Sequence, residues 1–228
     1  MADKKRGMFI TFEGGEGTGK STQVRMLCEA FAEAGITAIA TREPGGTPEA
    51  ERIRDLLVQR DGGDYDALTE ALLLFAGRRE HVVKKIIPAL EKGEWVVSDR
   101  FADSTRAMQG DGMGLNKQVI ENLYGMTAGD LKPDLTIVLD IDPVEGLARS
   151  AQKTQSTQNK RVAQEDRYER MSVDFHRRLR QGFLNIAETD PQRCIVIDAA
   201  QTPEAVHKQV VDAVSQRLNV SLKAVKYG

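Results

Sequence analysis

A glycine-rich stretch near the amino terminus carries the clearest chemistry in this chain. Residues Gly14 to Ser21 read Gly-Gly-Glu-Gly-Thr-Gly-Lys-Ser and fit the pattern G-x-x-x-x-G-K-[ST]. Glycines let the backbone turn so that successive N–H groups point into one concavity that accepts phosphate. Lys20 adds a positive charge for the β- and γ-phosphates, and the Ser21 hydroxyl adds a ligand for Mg²⁺. The stretch therefore predicts a nucleoside triphosphate site.

The elements on both sides of this loop support the prediction. An apolar, β-favouring run at 8–12 precedes it, and an amphipathic helix begins at about Lys20. The N-terminus of a helix adds unpaired N–H groups and the positive end of its dipole, which also favour an anion. The residues predicted to bind the nucleotide are Gly14, Gly15, Glu16, Gly17, Thr18, Gly19, Lys20, Ser21 and Thr22.

Strand-like and helical patterns alternate along the chain. Strand-like runs recur at 8–12, 36–40, 95–98, 135–141 and 194–198. This alternation predicts an α/β fold, a doubly wound, five-stranded parallel sheet flanked by helices. No internal repeat or linker divides the 228 residues, so one phosphate-loop domain is expected over 1–228.

Asp99 and Arg100 follow the third predicted strand. In open α/β sheets, ligands bind beyond the carboxyl ends of the strands. An acid at this point of a phosphate-loop protein holds Mg²⁺ directly or through water. The alternative is an aspartate that caps the next helix. Arg100 is predicted to point into the same cleft, where its guanidinium suits a phosphate.

A predicted helix further along carries an aromatic ring and an arginine. Its apolar residues are spaced to bury one face: Leu68, Leu72, Phe75, Val82, Ile86 and Leu90. Arg79 lies one turn beyond Phe75. Either Arg79 keeps its charged head in solvent, or Phe75 stacks on a base while Arg79 donates a hydrogen bond to it. The spacing alone leaves both interpretations open.

The stretch from Ser150 to Glu165 is polar, glutamine-rich and almost without apolar residues. Because it cannot bury itself, it is predicted to be mobile. The basic residues in or beside it are Arg149, Lys153, Lys160, Arg161 and Arg167. It is either a solvated loop or a lid that closes over reactants and neutralises charge on a transferred phosphoryl group.

Composition and charge argue against several other classes of protein. The formal net charge of -2 argues against a nucleic-acid partner. No apolar stretch approaches the ~20 residues of a membrane span, and the charged amino terminus does not look like a secretory signal. A cytoplasmic location is expected, with Cys28 and Cys194 as buried thiols. The three histidines are interpreted as surface residues: His81, His176 and His207.

Taken together, the motifs resemble those of bacterial thymidylate kinases over nearly the whole chain. Besides the phosphate loop, the matching stretches are Arg42-Glu43-Pro44-Gly45-Gly46-Thr47, Ile53-Arg54, Leu74-Phe75-Ala76 with Arg79, Ser98-Asp99-Arg100-Phe101 with Asp103-Ser104, Gln109-Gly110, and Asp166-Arg167-Tyr168-Glu169. The resemblance implies in-line phosphorylation of dTMP to dTDP by Mg-ATP, for dTTP biosynthesis. It also implies a homodimer.

The resemblance further implies roles for residues on the acceptor side. Phe75 is expected to stack on thymine, with Arg79 at the edge of the base and Pro44 near the methyl group. Arg54 and Arg100 are expected to hold the dTMP phosphate. The nucleoside pocket is expected to be lined by Ser104, Thr105 and Gln109, with Glu16 reaching the sugar 3′-hydroxyl.

On the donor side, Lys20 and Arg100 are the expected catalytic cations, Ser21 and Asp99 the expected Mg²⁺ ligands, and Arg149 a contact for adenine. Some members of the family carry an arginine within the phosphate loop, and this chain does not. It resembles the subgroup with a basic lid, which implies that Arg161 or Arg167, and after them Lys160, supplies the missing charge. Phe101 and Met108 stand where the family often has tyrosine, and the lid is longer than usual.

Two other functions are compatible with a phosphate loop. The first is a kinase for another nucleoside monophosphate, but Phe75 with Arg79 favours a pyrimidine. The second is a GTPase or ATPase switch. It is disfavoured because the chain has no Asn-Lys-x-Asp motif for guanine and no Asp-x-x-Gly directly after the third predicted strand.

Overall fold

The computed structural model describes residues 6–59, 63–156 and 165–226. Five strands form one parallel sheet: β1 (Phe9–Glu13), β2 (Ala38–Arg42), β3 (Trp95–Asp99), β4 (Leu135–Asp140) and β5 (Cys194–Asp198). Their order across the sheet is β2-β3-β1-β4-β5. The predicted α/β fold and all five strands are confirmed; β2 begins and ends two residues later than the pattern indicated.

The strand register brings the functional loops to one edge of the sheet. Asp99 pairs in register with Phe12 of β1 and with Arg42 of β2. Asp140 pairs with Asp198 at the same edge. Because parallel strands end together, the residues that follow β1, β2, β3 and β5 converge on one cleft.

Helices cover both faces of the sheet. They are α1 (Lys20–Glu33), α2 (Pro48–Val58), α3 (Ala67–His81), α4 (Ile87–Glu91), α5 (Ala102–Thr105), α6 (Lys117–Ala128), α7 (Pro143–Ser156), α8 (Val173–Thr189) and α9 (Pro203–Leu218). π-helical segments join α3 to α4 at Val82–Ile86 and extend α5 at Arg106–Gly112. π-helical turns often occur at functional sites.

Local capping chemistry explains where several helices begin. Thr47 accepts a hydrogen bond from Ala50 N, and Thr202 accepts one from Ala205 N. Each of these threonines precedes a proline at the first helical position. A backbone N–H at that position has no partner within the helix, so the proline loses no hydrogen bond there. The start of α1 at Lys20 is also as predicted.

The two faces of the sheet belong to different parts of the core. Ile10 and Phe12 of β1 face α1 and α9, where they meet Leu27, Phe31 and Val210. Phe9, on the opposite face of the same strand, packs with residues of α3, α4 and α6. A third cluster joins α8 to the π-helical segment after α5 and to β4 and β5. No helix in the described part of the chain has the length and apolar character needed to cross a bilayer.

Two predictions about individual side chains are wrong. His81, His176 and His207 are all buried rather than on the surface. Leu68 and Leu72 are 43% and 49% exposed, so the buried face of α3 is not the one that the pattern indicated. Cys194 is buried, Cys28 is half-buried and both are free; burial raises the pKa of Cys28 to about 11.

Candidate functional site

A cavity of about 970 Å³ opens at the carboxyl edge of the sheet. It is lined by residues that follow β1 (Glu16 to Gln23), β2 (Glu43, Pro44), β3 (Asp99, Arg100) and β5 (Ala199 to Pro203). Side chains of α2, α3, α7 and the segment after α5 complete the wall. Its size suits two small ligands side by side.

The phosphate loop holds its own lysine. Lys20 Nζ donates to the carbonyls of Gly14 (3.1 Å) and Gly15 (2.6 Å), and Thr18 Oγ1 donates to Gly15 O (3.0 Å). Burial, together with the charge of Arg100, lowers the pKa of Lys20 to about 8. The predicted loop residues from Glu16 to Thr22 all line the cavity, whereas Gly14 and Gly15 supply these carbonyls from behind it.

Close backbone packing fixes this loop against α7. Gly17 has φ +69°, and a Cβ added there would lie 1.9 Å from the carbonyl oxygen of Gly146. A Cβ added at Gly146 would lie 2.4 Å from the carbonyl oxygen of Glu16. Both positions need glycine because the loop and the helix meet backbone to backbone.

Arg100 lies beside the phosphate loop, as predicted. Its Nη2 pairs with Glu16 Oε1 at 2.7 Å, and its Nη1 donates to Gly14 O and to Ser104 Oγ, both at 3.0 Å. Its backbone has φ 71°, a left-handed conformation. Arginine and lysine charges hold the pKa of Glu16 below its usual value although burial opposes this.

Glu13 supports this arrangement from the end of β1. Its carboxyl group accepts hydrogen bonds from Phe101 N (2.8 Å) and Ser104 Oγ (2.5 Å), so it holds the backbone directly after Arg100 and the hydroxyl to which Arg100 donates. Burial, with the nearby charge of Asp103, raises the pKa of Glu13 to about 8.

The residues expected to hold Mg²⁺ fit the chemistry of that ion. Ser21 and Asp99 both line the cavity and offer oxygen ligands. The described residues contain no group of three or more histidine, cysteine, aspartate or glutamate side chains that could hold a metal by themselves. Mg²⁺ is usually bound by one or two protein oxygens together with substrate phosphates and water, so this sparse set is appropriate.

Phe75 and Arg79 do not form the base pocket, so this part of the sequence prediction is wrong. Phe75 is 1% exposed within the core, and neither residue lines the cavity. Arg79 is exposed and donates to Thr127 O on α6 (3.2 Å). The residues of α3 that line the cavity are Leu74 and Arg78.

The guanidinium of Arg78 is held by several hydrogen bonds within the protein. Its Nε donates to Glu43 Oε2 (2.8 Å), and its Nη2 donates to Phe101 O (3.2 Å) and Thr105 Oγ1 (3.0 Å). The guanidinium lies 4.5 Å from the centre of the Phe75 ring, so Phe75 supports the arginine. Nη1 is buried and has no hydrogen-bond partner among the described residues.

Glu43 is shared between Arg78 and His81. Its Oε1 lies 3.0 Å from His81 Nδ1, and His81 Nε2 lies 2.7 Å from Thr41 Oγ1. Although burial opposes ionisation, Arg78 and His81 hold the pKa of Glu43 below its usual value. This network explains why His81 is buried: both ring nitrogens have polar partners.

The other predicted acceptor residues line the cavity as expected: Pro44, Arg54, Ser104, Thr105 and Gln109. Gln109 donates through Nε2 to Glu70 Oε2 (2.9 Å), which leaves its buried Oε1 without a partner. Arg54 donates to Pro44 O (3.0 Å) and pairs with Glu165 at 2.6 Å.

The two other predicted basic residues within the described part of the chain have different surroundings. Arg149 lines the cavity and donates to the carbonyls of Ala199 (2.7 Å) and Ala200 (3.0 Å), which joins α7 to the loop after β5. Arg167 does not line it; the guanidinium is paired with the buried acid Glu70 and donates to Leu57 O (3.2 Å). Lys160 and Arg161 lie outside the described residues. The predicted loop from Ser150 is helical as far as Ser156, because α7 continues into it.

The sequence contained one signal that pointed to Arg78. The residues four, seven and eleven positions before Val82 lie on the same face of a helix as Val82. They are Arg78, Phe75 and Ala71, and all three are buried. If Leu68 and Leu72 are counted as part of the buried face, that face shifts by one residue and includes Arg79 in place of Arg78. No sequence signal singled out Glu13 or Glu70 as buried acids.

The fold and the site together define a phosphate-loop protein of the nucleoside monophosphate kinase type. A family model described as thymidylate kinase matches residues 12–210. The chain belongs to the thymidylate kinase family. It is 46% identical over 216 residues to the thymidylate kinase of Magnetococcus marinus, covering 95% of this chain and 99% of that protein.

Two further relatives agree. The thymidylate kinase of Nitrobacter winogradskyi is 47% identical over 225 residues, covering 99% of this chain and 95% of that protein. The crystal structure of thymidylate kinase from Ehrlichia chaffeensis superposes with a TM-score of 0.72 at 36% identity, covering 92% of this chain and 99% of that one.

Proposed function

We propose that this chain transfers the γ-phosphoryl group of ATP to dTMP, giving dTDP and ADP on the route to dTTP. The observation that carries the proposal is a pair of buried polar atoms, Arg78 Nη1 and Gln109 Oε1, that have no hydrogen-bond partner in the described part of the chain. Both residues line the same cavity as Lys20 of the phosphate loop. One atom is a hydrogen-bond donor and the other an acceptor.

This donor and acceptor match one edge of thymine. Thymine and uracil offer a carbonyl oxygen at C4 and an N–H at N3, whereas cytosine offers an amino group and a bare nitrogen. Arg78 Nη1 donates to the carbonyl, and Gln109 Oε1 accepts from N3–H. A site built to satisfy hydrogen bonds rejects an analogue that leaves buried polar groups unpaired.

The residues around the loop perform the transfer by positioning and charge. Lys20 leaves the loop carbonyls for the phosphates of ATP, and Arg100 with Arg54 binds the phosphate of dTMP. Ser21 and Asp99 would hold Mg²⁺, which would supply neutralisation of the charge on the transferred group. No strong general base is needed, because the dTMP phosphate is already a nucleophile. Glu16 takes the sugar 3′-hydroxyl and Arg149 contacts adenine.

Arg161, Arg167 and Lys160 remain the proposed sources of the charge that the phosphate loop lacks. Arg167 must leave Glu70 to serve in this way. A reducing, cytoplasmic location is proposed as well, which the free thiols of Cys28 and Cys194 support.

A homodimer is part of the proposal. Four large apolar side chains are exposed on the adjacent helices α2, α3 and α6: Leu56, Leu68, Leu72 and Met126. Contiguous exposed apolar residues of this kind mark protein interfaces.

Measuring ADP release with each monophosphate in turn tests the activity. We expect dTMP to be the best acceptor, and dUMP to be weaker by about tenfold, because a methyl group contributes ~1–3 kcal/mol. We expect dCMP and GMP to be near background. Turnover with GMP but not dTMP contradicts the assignment, and ATP hydrolysis without any acceptor favours a switch protein instead.

A further inference from the structure

Behind the proposed base-reading residue lies a fully buried acid, Glu70 of α3. Its Oε2 accepts from Gln109 Nε2 (2.9 Å) and from the Tyr168 hydroxyl (3.1 Å). Its Oε1 pairs with Arg167. Burial and the negative charge of Glu70 raise the pKa of Tyr168, which keeps its hydroxyl a donor. Glu70 therefore has hydrogen bonds at both carboxylate oxygens.

The carboxylate of Glu70 determines how the Gln109 amide is turned. An ionised carboxylate can only accept hydrogen bonds, whereas an amide has a donor end and an acceptor end. Gln109 must turn its NH₂ group towards Glu70, which leaves Oε1 as the atom without a partner. If a hydrogen-bond donor replaced Glu70 Oε2, the opposite orientation of the Gln109 amide would be favourable, with its oxygen towards residue 70 and its NH₂ group towards the base.

We propose that Glu70 is a positioning residue that sets the selectivity for thymine over cytosine by fixing the orientation of the Gln109 amide. The inference rests on the proposed function, in which Gln109 Oε1 accepts from N3–H of the base. Glu70 does not line the cavity, so it acts through Gln109 and touches no substrate. Uracil, which has the same N3–H, is affected in the same way as thymine.

The substitution Glu70→Gln tests this mechanism because it preserves shape and adds one donor. Arg167 then competes with Gln109 and the Tyr168 hydroxyl for a single amide oxygen. The hydroxyl can also accept a hydrogen bond, so it tolerates an NH₂ group at that position. Charge-assisted hydrogen bonds are roughly twice as strong as neutral ones, so Arg167 retains the oxygen. The new NH₂ group faces Gln109, which turns its own oxygen to it and presents a donor to the base.

Dissociation constants for dTMP, dUMP and dCMP, measured by competition with a fluorescent nucleotide, give the result without requiring turnover. We expect Glu70→Gln to weaken dTMP and dUMP by the same factor, about tenfold or more, because a hydrogen bond becomes a donor–donor contact. Binding of dCMP is expected to stay the same or improve. A structural role alone would weaken all three equally, and that result would overturn the proposal.

Tyr168→Phe is the matched control. It removes another hydrogen bond to Glu70 but leaves the carboxylate paired with Arg167 and facing Gln109, so the dTMP to dCMP ratio should match that of the unmodified protein. A ratio that falls as far as in Glu70→Gln would overturn the proposal. If Glu70→Gln does not fold, Glu70→Met keeps the volume and removes the constraint; the ratio must then fall in the same direction. Failure of the unmodified protein to prefer dTMP over dCMP would instead contradict the proposed function.

Discussion

Two adjacent arginines on α3 occupy opposite environments. Arg78 is buried, touches Phe75 and is tied to Glu43, whereas Arg79 is exposed and reaches the carboxyl end of α6. One residue along a helix turns a side chain by about 100°, so neighbours in sequence can belong to a binding site and to solvent.

Substitutions of this pair by methionine are predicted to have very different effects. Arg78→Met should lower kcat/KM for dTMP by roughly 10- to 100-fold, because a hydrogen bond from a charged donor is worth about 1.5–3 kcal/mol. It should also destabilise the fold by about 3–5 kcal/mol, because Glu43 is left buried without its main partner. Arg79→Met should leave kcat/KM within about twofold, as expected of an exposed site. Steady-state kinetics and denaturant unfolding measure the two effects. A larger loss of kcat/KM in Arg79→Met than in Arg78→Met would instead assign recognition of the base to Arg79.

The lowered pKa of Lys20 makes binding of ATP depend on pH. With a pKa of about 8 against the usual 10.5, Lys20 is largely neutral near pH 9 in the folded protein and charged in the unfolded chain. The unfolded state then binds more protons, so this residue makes stability rise as pH increases between these two values. ATP phosphates favour the charged lysine and draw a proton back onto it.

Proton uptake on ATP binding is therefore predicted at pH 9. Calorimetry of ATP binding in two buffers of different ionisation enthalpy measures this proton uptake. The phosphates of ATP contribute little to it, because their last pKa lies near 6. Lys20→Met should remove most of the uptake; the remainder would come from Glu13, whose pKa of about 8 lies close to this pH. Equal apparent enthalpies in the two buffers with the unmodified protein would contradict a lowered pKa for Lys20.

At the scale of elements, the phosphate loop packs closely against α7. Gly17 and Gly146 meet there backbone to backbone. Because α7 also carries Arg149, which lines the cavity, the position of the helix and that of the loop are set together.

Gly146→Ala is predicted to separate the loop from the helix and to raise KM for ATP by about tenfold, equivalent to about 1.4 kcal/mol. Gly125→Ala in α6 is the matched control, because an added Cβ there meets nothing within 4 Å. It should stabilise the protein by roughly 0.5–1 kcal/mol, the usual gain for alanine over glycine within a helix. An unchanged KM in Gly146→Ala would show that loop and helix adjust independently.

Sequence predicted the elements better than their orientation. The strands, the phosphate loop and the start of α1 depend on nearby residues, and all were found from local patterns. The buried face of α3 was not predicted correctly, because apolar residues lie on two faces of this helix. Leu68 and Leu72 are exposed, while Glu70, Arg78 and His81 are buried in ion pairs and hydrogen bonds. Partners such as Glu43 and Gln109 come from distant parts of the chain, so only the folded structure shows why polar residues occupy that face.

At the scale of the whole molecule, the apolar residues of α2, α3 and α6 predict the assembly. Leu72→Glu puts a charge among these exposed apolar residues and should convert the proposed dimer, of twice 25.2 kDa, into a monomer. Val173→Glu is the control; it is also exposed, at 38%, but begins α8, where an acid suits the helix dipole. Light scattering coupled to gel filtration separates the outcomes. A dimeric Leu72→Glu would place the interface elsewhere.

The ion pair between Arg100 and Glu16 has a consequence for the design of inhibitors. Arg100, which is proposed to hold the phosphate of the acceptor, already has a carboxylate partner, Glu16, at 2.7 Å, so its charge is balanced before any ligand arrives. A compound that carries the thymine edge but no phosphate need not break the pair or leave a buried charge unpaired. Such uncharged compounds, which cross membranes more readily than nucleotides, can therefore take most of their affinity from the base pocket around Arg78 and Gln109.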